Sequence, residues 1–299
     1  MWVSLALISA FLLGIYDVIK KVSLNNNAVF PVLFISTLTA AVIVIPIITL
    51  SPIYPQFFQA AHIYVPPISL VAHVQIFVKT VIVVGSWVFA FFALKNLPIT
   101  IVAPIRATGP LWTLIGAIFI FHERLNIIQW IGVVVTFFFF YLFSTAGKLE
   151  GINFKRNKWI YFIIAATLLG SVSSLWDKFI LKTIDRVAVQ AWFSFYQVVV
   201  MLPVMILFRW TKKKEKRAPF EWRWTIPMIA ILLLFVDYAY FYSLSIPESM
   251  VSIVSALRRG GVLVAFVIGA FLFKEQNIRR KGVYLLGILL GILLISLGS

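Results

Sequence analysis

The sequence predicts an all-α polytopic membrane protein of ten transmembrane helices arranged as two inverted five-helix repeats. Three observations carry this expectation: an apolar composition, ten apolar stretches of spanning length, and a set of landmarks that occurs twice. Of the 299 residues, 62% are hydrophobic and 12% charged, with a mean hydropathy of +1.02. A soluble domain carries about 25% charged residues, so this chain lacks the polar surface that water requires.

A membrane-spanning helix needs about 20 apolar residues, and the chain divides into ten such stretches. They are 2–20, 29–50, 72–94, 100–121, 127–146, 159–182, 187–208, 225–245, 250–273 and 281–298. The first closes in GIYDVIKK, with no charge before Asp17 and with Lys20 and Lys21 just after it. The second and seventh carry Pro46 and Pro203 at equivalent depths. The third holds Lys79 and the eighth Asp237. The fourth contains Arg106 between Pro104 and Pro110, prolines that remove backbone donors and free the carbonyls four residues before them. The sixth holds Asp177 and Lys178, and the ninth Arg258 and Arg259. The fifth and tenth are glycine-bearing, at Gly132 and in the GILLGILL run, where Gly287 and Gly291 form a small-xxx-small packing motif. That motif is read as packing within the chain in preference to dimerisation.

The net charge of +16 reads as a topology signal. Loops following the odd-numbered helices hold 18 Lys and Arg, including RWTKKKEKR at 209–217, whereas the opposite set holds Arg124, Lys182 and Arg186. The positive-inside rule then places the basic loops in the cytoplasm and both termini outside. The expected location is a plasma (bacterial inner) membrane. No nucleic-acid partner is expected, because the basic run lacks a folded module to present it. There is no cysteine, hence no disulfide framework. The first stretch has no basic residues before its apolar run and is read as a retained helix in place of a signal peptide.

The repeat is visible in RATGPLWTLIGAIFIFHERLN from Arg106 and RRGGVLVAFVIGAFLFKEQNI from Arg258. Both place Gly three residues after the first Arg, IGA in mid-helix, and a Glu near the end, at Glu123 and Glu275. IYDVIKK at 15–21 matches LWDKFILK at 175–182 through its aromatic–Asp pair, and NLP (96–98) matches SIP (245–247). The halves are 1–148 and 156–299. Five helices per half make the second half enter the membrane from the opposite side, the inverted repeat of many secondary transporters.

These tandem halves, the "Pro, small residues, IGAxxxxxE" pattern at 98–123 and 247–275, and the Gly-rich helices that follow each Glu resemble the drug/metabolite transporter superfamily, specifically its EamA group of ten-helix carriers. The resemblance spans essentially the whole chain. It implies a transporter fold and an exporter, and names no substrate. The chain departs from the group in one respect: many relatives keep their termini in the cytoplasm, whereas its basic residues place them outside.

Ionisable groups inside a membrane are costly and face partners or cavities. The repeat places Asp17 and Arg106 at the cytoplasmic portion of their helices, and Asp177 and Arg258 at the external portion. The expected pairings are Asp17–Arg106 and Asp177–Arg258, either as gates that open in alternation or as static braces. Lys20 and Lys21 read as interfacial anchors. Asp237 has no repeat copy, since Val88 stands at the equivalent position. It is the candidate for a substrate or coupling-proton site, with Lys79, Tyr238, Trp87 and Trp176 as further candidates; the alternative is a plain Asp237–Lys79 pair.

Nothing in the sequence supports catalysis, so no enzyme is expected. The three His residues have no metal-ligand spacing, and no phosphate-binding loop is present, so neither a metal nor a cofactor is expected. The expected partners are the bilayer and a small-molecule substrate, with proton or ion coupling left open and a monomer or weak dimer as the assembly. The expected activity is export of a small polar or amphipathic metabolite by alternating access. A flippase for lipid or lipid-linked sugar and a non-transporting scaffold are the other two classes.

Overall fold

The computed structural model describes residues 2–109, 111–113, 115, 126–148, 154–211, 219–246, 257–258, 260–273 and 277–297. Pro110, Glu123, Arg259, Glu275 and the Lys178 side chain lie outside what is described. The described residues form helices α1 (Trp2–Leu24), α2 (Val29–Leu50), α3 (Pro55–Ala60), α4 (Leu70–Asn96), α5 (Ile99–Ala107), α6 (Ile127–Lys148), α7 (Lys158–Ile180), α8 (Arg186–Thr211), α9 (Thr225–Ser245), α10 (Gly261–Leu272) and α11 (Ile278–Leu297). Ten of them fall in the predicted spans. The additional short α3, begun by Pro55, occupies a stretch that reads as loop in the sequence. Among the described residues, six helices (α1, α2, α4, α7, α8 and α9) are long and apolar enough to cross a membrane. The chain is an all-α, multi-pass membrane protein.

Local chemistry sets the helix ends. Asn26, at φ 54°, turns the chain after α1, a left-handed conformation that Asn tolerates better than most residues. Asn27 then accepts from the Ala28 amide (2.8 Å) at the start of α2. Ser69 caps α4 by accepting from the Ala72 amide (3.2 Å), and Asp185 caps α8 at Val187 (2.8 Å). Asn126 and Gln129 exchange side-chain bonds with each other's amides, both 2.9 Å, a reciprocal cap that starts α6.

The packing carries the repeat. Let the halves exchange, so that α1 becomes α7, α2 becomes α8, α4 becomes α9, α5 becomes α10 and α6 becomes α11. The α1–α9 contact then becomes α7–α4, α1–α10 becomes α7–α5, and α2–α9 becomes α8–α4. The contacts α2–α8, α5–α10 and α6–α11 map onto themselves. The main contacts between the halves are therefore images of one another under exchange, as a pseudo-two-fold relation between repeats leads one to expect, whereas weaker contacts, such as α1–α4 within the first half, have no comparable image among the described residues.

Two crossings bring backbones unusually close. At α1–α10, a Cβ on Gly14 would sit 2.5 Å from the Gly261 carbonyl oxygen. Along α6–α11, a Cβ on Gly291 would sit 2.3 Å from Thr136 Oγ1 and 2.8 Å from the Gly132 carbonyl oxygen. The glycine motif of the tenth span thus packs within the chain, as the sequence suggests.

Candidate functional site

A cavity of about 170 Å3 lies between the halves. Its walls come from α1, α4 and α5 of the first half and from α7, α8, α9 and the residues before α10 of the second. The volume equals roughly six waters at ~30 Å3 each. Five charged side chains line it: Lys79, Arg106, Asp177, Asp237 and Arg258. Tyr16, Trp87, Phe193, Tyr240 and Phe241 give the wall its aromatic character.

The first expected pair forms. Arg106 Nη1 donates to Asp17 Oδ1 at 2.6 Å, and Lys20 Nζ, one helical turn along α1, donates to the same oxygen at 2.7 Å. Lys20 corrects its assignment as an interfacial anchor: it is buried, lying 4.2 Å from the centre of the Tyr16 ring and 5.4 Å from that of Phe91. The carboxylate of Asp17 outbids the interface because it lies within reach of a lysine three residues on.

The second expected pair does not form. Asp177 is bound by Lys79 of α4, and Arg258 donates through Nη2 to Asp237 at 2.9 Å. Lys79 and Asp237 therefore each intercept a member of the couple that symmetry predicts. The plain Asp237–Lys79 alternative is corrected by the same two bonds. Packing explains the exchange. The tight α4–α7 contact carries Lys79 to Asp177, where its ammonium also lies over the rings of Phe193 (4.7 Å) and Phe241 (4.9 Å). Arg258 stacks 3.9 Å over Tyr240, three residues from Asp237 on α9.

The remaining candidates divide. Trp87 lines the cavity and meets Phe193 edge to face, centroids 6.2 Å apart. Trp176 does not line it; its Nε1 donates to the Gln75 carbonyl (3.0 Å) within the apolar cluster beside α8. Tyr238 points elsewhere too. It lines an apolar groove of about 580 Å3 formed by α2, α8, α9 and residues 61 and 63, with Arg186 at 5.8 Å from its ring. Both corrections have one cause: aromatic residues adjacent in sequence to a charged one project from different faces of a helix.

Two further features were not legible in the sequence. Lys281 is fully buried, donating to Thr100 Oγ1 at 2.7 Å, although its RRK context reads as a basic loop. A belt of bonds also laces the basic end of the bundle. Lys21 Nζ donates to the carbonyls of Leu94 (2.6 Å) and Leu97 (2.7 Å), and Lys95 Nζ to that of Asn27 (2.6 Å). Asn27 and Arg223 then join the two halves, through the Glu221 carbonyl (2.8 Å) and the Val22 carbonyl (2.8 Å). Charge counting groups the basic residues of this belt at one end of the bundle without showing that they hold carbonyls near helix ends.

The sequence profile of the EamA-like transporter family matches residues 1–145 and again 157–297. A solved crystal structure shares the fold at a TM-score of 0.64 and 14% identity, covering 99% of this chain and 97% of that one. No curated protein matches the sequence.

Proposed function

The chain belongs to the EamA-like transporter family, and from that premise we propose that it exports a small polar or amphipathic metabolite by alternating access through the cavity between its halves. The observation that carries this reading is the cavity itself. It is walled by both repeats, it holds five charged side chains among apolar helices, and the arginines of the pairs around it are partly exposed. Buried ion pairs are weak sources of stability because desolvation offsets their attraction, so a binding and gating role gives them a purpose that bracing alone does not. In this reading Asp17–Arg106 closes the basic side, together with the lysine belt. Asp177–Lys79 and Asp237–Arg258 close the other side, and coupling to a proton or ion runs through the same carboxylates.

The proposed orientation places both termini outside, following the basic loops. A reporter fused after Ser299 that is active only in the cytoplasm would reverse it.

The apolar groove between α2, α8 and α9 is the feature that favours a flippase. It shares no lining residue with the charged cavity, whereas moving a lipid head group needs a lateral path between the two. The carrier reading is therefore the one adopted. The test compares metabolites released by cells carrying the wild-type chain with those carrying Ser173→Trp, which fills the cavity from a buried wall position. The expected result is a compound that accumulates outside only with the wild-type chain. Equal release from both, with equal amounts of protein in the membrane, would sink the proposal.

A further inference from the structure

The charge of the substrate can be read from the two arginines. Arg106 and Arg258 stand at equivalent positions of the two repeats, and both line the cavity, one from each half. Each guanidinium carries five N–H donors in a planar fork. Arg106 directs Nη1 to Asp17, and Arg258 directs Nη2 to Asp237. The Nε of Arg258 is enclosed and has no hydrogen-bond partner among the described residues. A buried donor left unmade is costly and calls for an acceptor.

The balance of charge points the same way. Around the cavity, Lys20, Lys79, Arg106 and Arg258 face Asp17, Asp177 and Asp237. Four cations against three carboxylates leave one positive charge in excess among the described residues. An uncompensated charge in a low-dielectric interior is strongly unfavourable, and a bound monoanion removes it. Each carboxylate already holds a cation, so an ammonium group entering here would have to displace one. The remaining wall is apolar, with Leu13, Trp87, Phe193 and Leu233.

Resting on the carrier reading above, the geometry points to a small monoanionic carboxylate with a short apolar body as the substrate. Its carboxylate accepts from the exposed end of one of these arginines, whose side chains are 30% and 23% exposed, and is attracted by the charge of both. The guanidinium fork matches a carboxylate in geometry, which a lysine ammonium does not. A dianionic phosphate monoester would overshoot the single excess charge.

The test uses the full chain in lipid nanodiscs and follows tryptophan fluorescence, to which Trp87 in the cavity wall contributes. The probes are hexanoate, benzoate and phenylacetate, with benzamide, benzylamine and phenyl phosphate as neutral, cationic and dianionic counterparts. The expected result is saturable binding of at least one carboxylate, tenfold or more tighter than any counterpart. Arg106→Gln and Arg258→Gln should each weaken it at least tenfold, and Arg258→Lys less than Arg258→Gln. Should a Gln variant fail to fold, the wild-type probe series and Arg258→Lys still decide the matter. No saturable carboxylate response overturns the assignment, as does carboxylate binding that both Gln variants leave unchanged. Tighter binding of benzylamine overturns the charge assignment while leaving the cavity as the site. Metabolite release blocked or unblocked by Ser173→Trp bears on the carrier reading alone, so the two can fail separately.

Discussion

The two ends of the cavity answer the same design problem differently. In the first repeat, Asp17 holds two cations on one oxygen, Arg106 from across the bundle and Lys20 from its own helix. In the second, the position three residues after Asp177 is Ile180, fully buried, so the lysine of the matching position is missing. Lys79 takes that place from α4, and Arg258, left without Asp177, is satisfied by Asp237. A triad on one side thus corresponds to two separate pairs on the other. The backbone symmetry of the repeats is retained while the charges are redistributed, because an ion pair needs only a partner within reach, from whichever helix supplies it. The two sides consequently differ in redundancy: Asp17 loses one cation and keeps another, whereas Asp177 depends on Lys79.

The largest expected effect breaks that contrast directly. Lys79→Met leaves Asp177 buried with no partner among the described residues, and removing one member of a buried pair costs about 3–5 kcal/mol. Lys20→Met removes a cation of similar burial, yet Asp17 keeps Arg106, so its cost should be less than half of that. Thermal unfolding of the two variants in detergent measures the difference. Equal costs would show that redundancy plays no part. Adding Asp177→Leu to Lys79→Met should recover most of the loss, since an apolar replacement of both partners removes the stranded charge.

Asp237→Asn comes next. The amide still accepts from Arg258, so the stability cost should be about 1–2 kcal/mol, within the range for a hydrogen bond to a charged group. Arg258 is then free to turn to Asp177, the couple that repeat symmetry predicts. Transport should fall at least tenfold while the protein inserts and folds, as judged by its amount in the membrane and its melting temperature. Wild-type export by Asp237→Asn would remove the carboxylate from the mechanism.

How far this could be read beforehand depends on the kind of pattern involved. Helix positions were legible because spanning stretches are long and apolar, and their caps are short local motifs such as Asn126–Gln129. The landmarks of the repeat were legible because offsets along a chain survive folding. The pair Asp17–Arg106 followed from depth and symmetry, and the structure forms it. The fate of Asp177 did not follow, since the choice between Arg258 and Lys79 is made by how closely α4 packs on α7, a tertiary quantity. Depth alone was likewise insufficient for Tyr238 and Trp176, which share a level with the cavity and face away from it. The burial of Lys281 is not legible because a lysine in a basic run is indistinguishable by composition from its solvated neighbours.

The smallest expected effect concerns a pair that lies outside the cavity and serves as its counterpart. Arg223 Nη2 meets Glu221 Oε2 at 2.7 Å at the basic end, with the Glu221 side chain 57% exposed. An exposed ion pair contributes about 0–1 kcal/mol and is screened by salt. Glu221→Gln should therefore change stability by less than about 0.5 kcal/mol and abolish any difference between low and high salt at this site. Its backbone, which accepts from and donates to Asn27, is untouched by the change. Arg223→Ala should cost more, about 1 kcal/mol, because it also frees the Val22 carbonyl at the end of α1. The order of the two distinguishes closure of the basic end by backbone carbonyls from closure by surface charge. A larger loss from Glu221→Gln than from Arg223→Ala would assign that closure to the ion pair, and would make the basic end more like the charged cavity than its exposure implies.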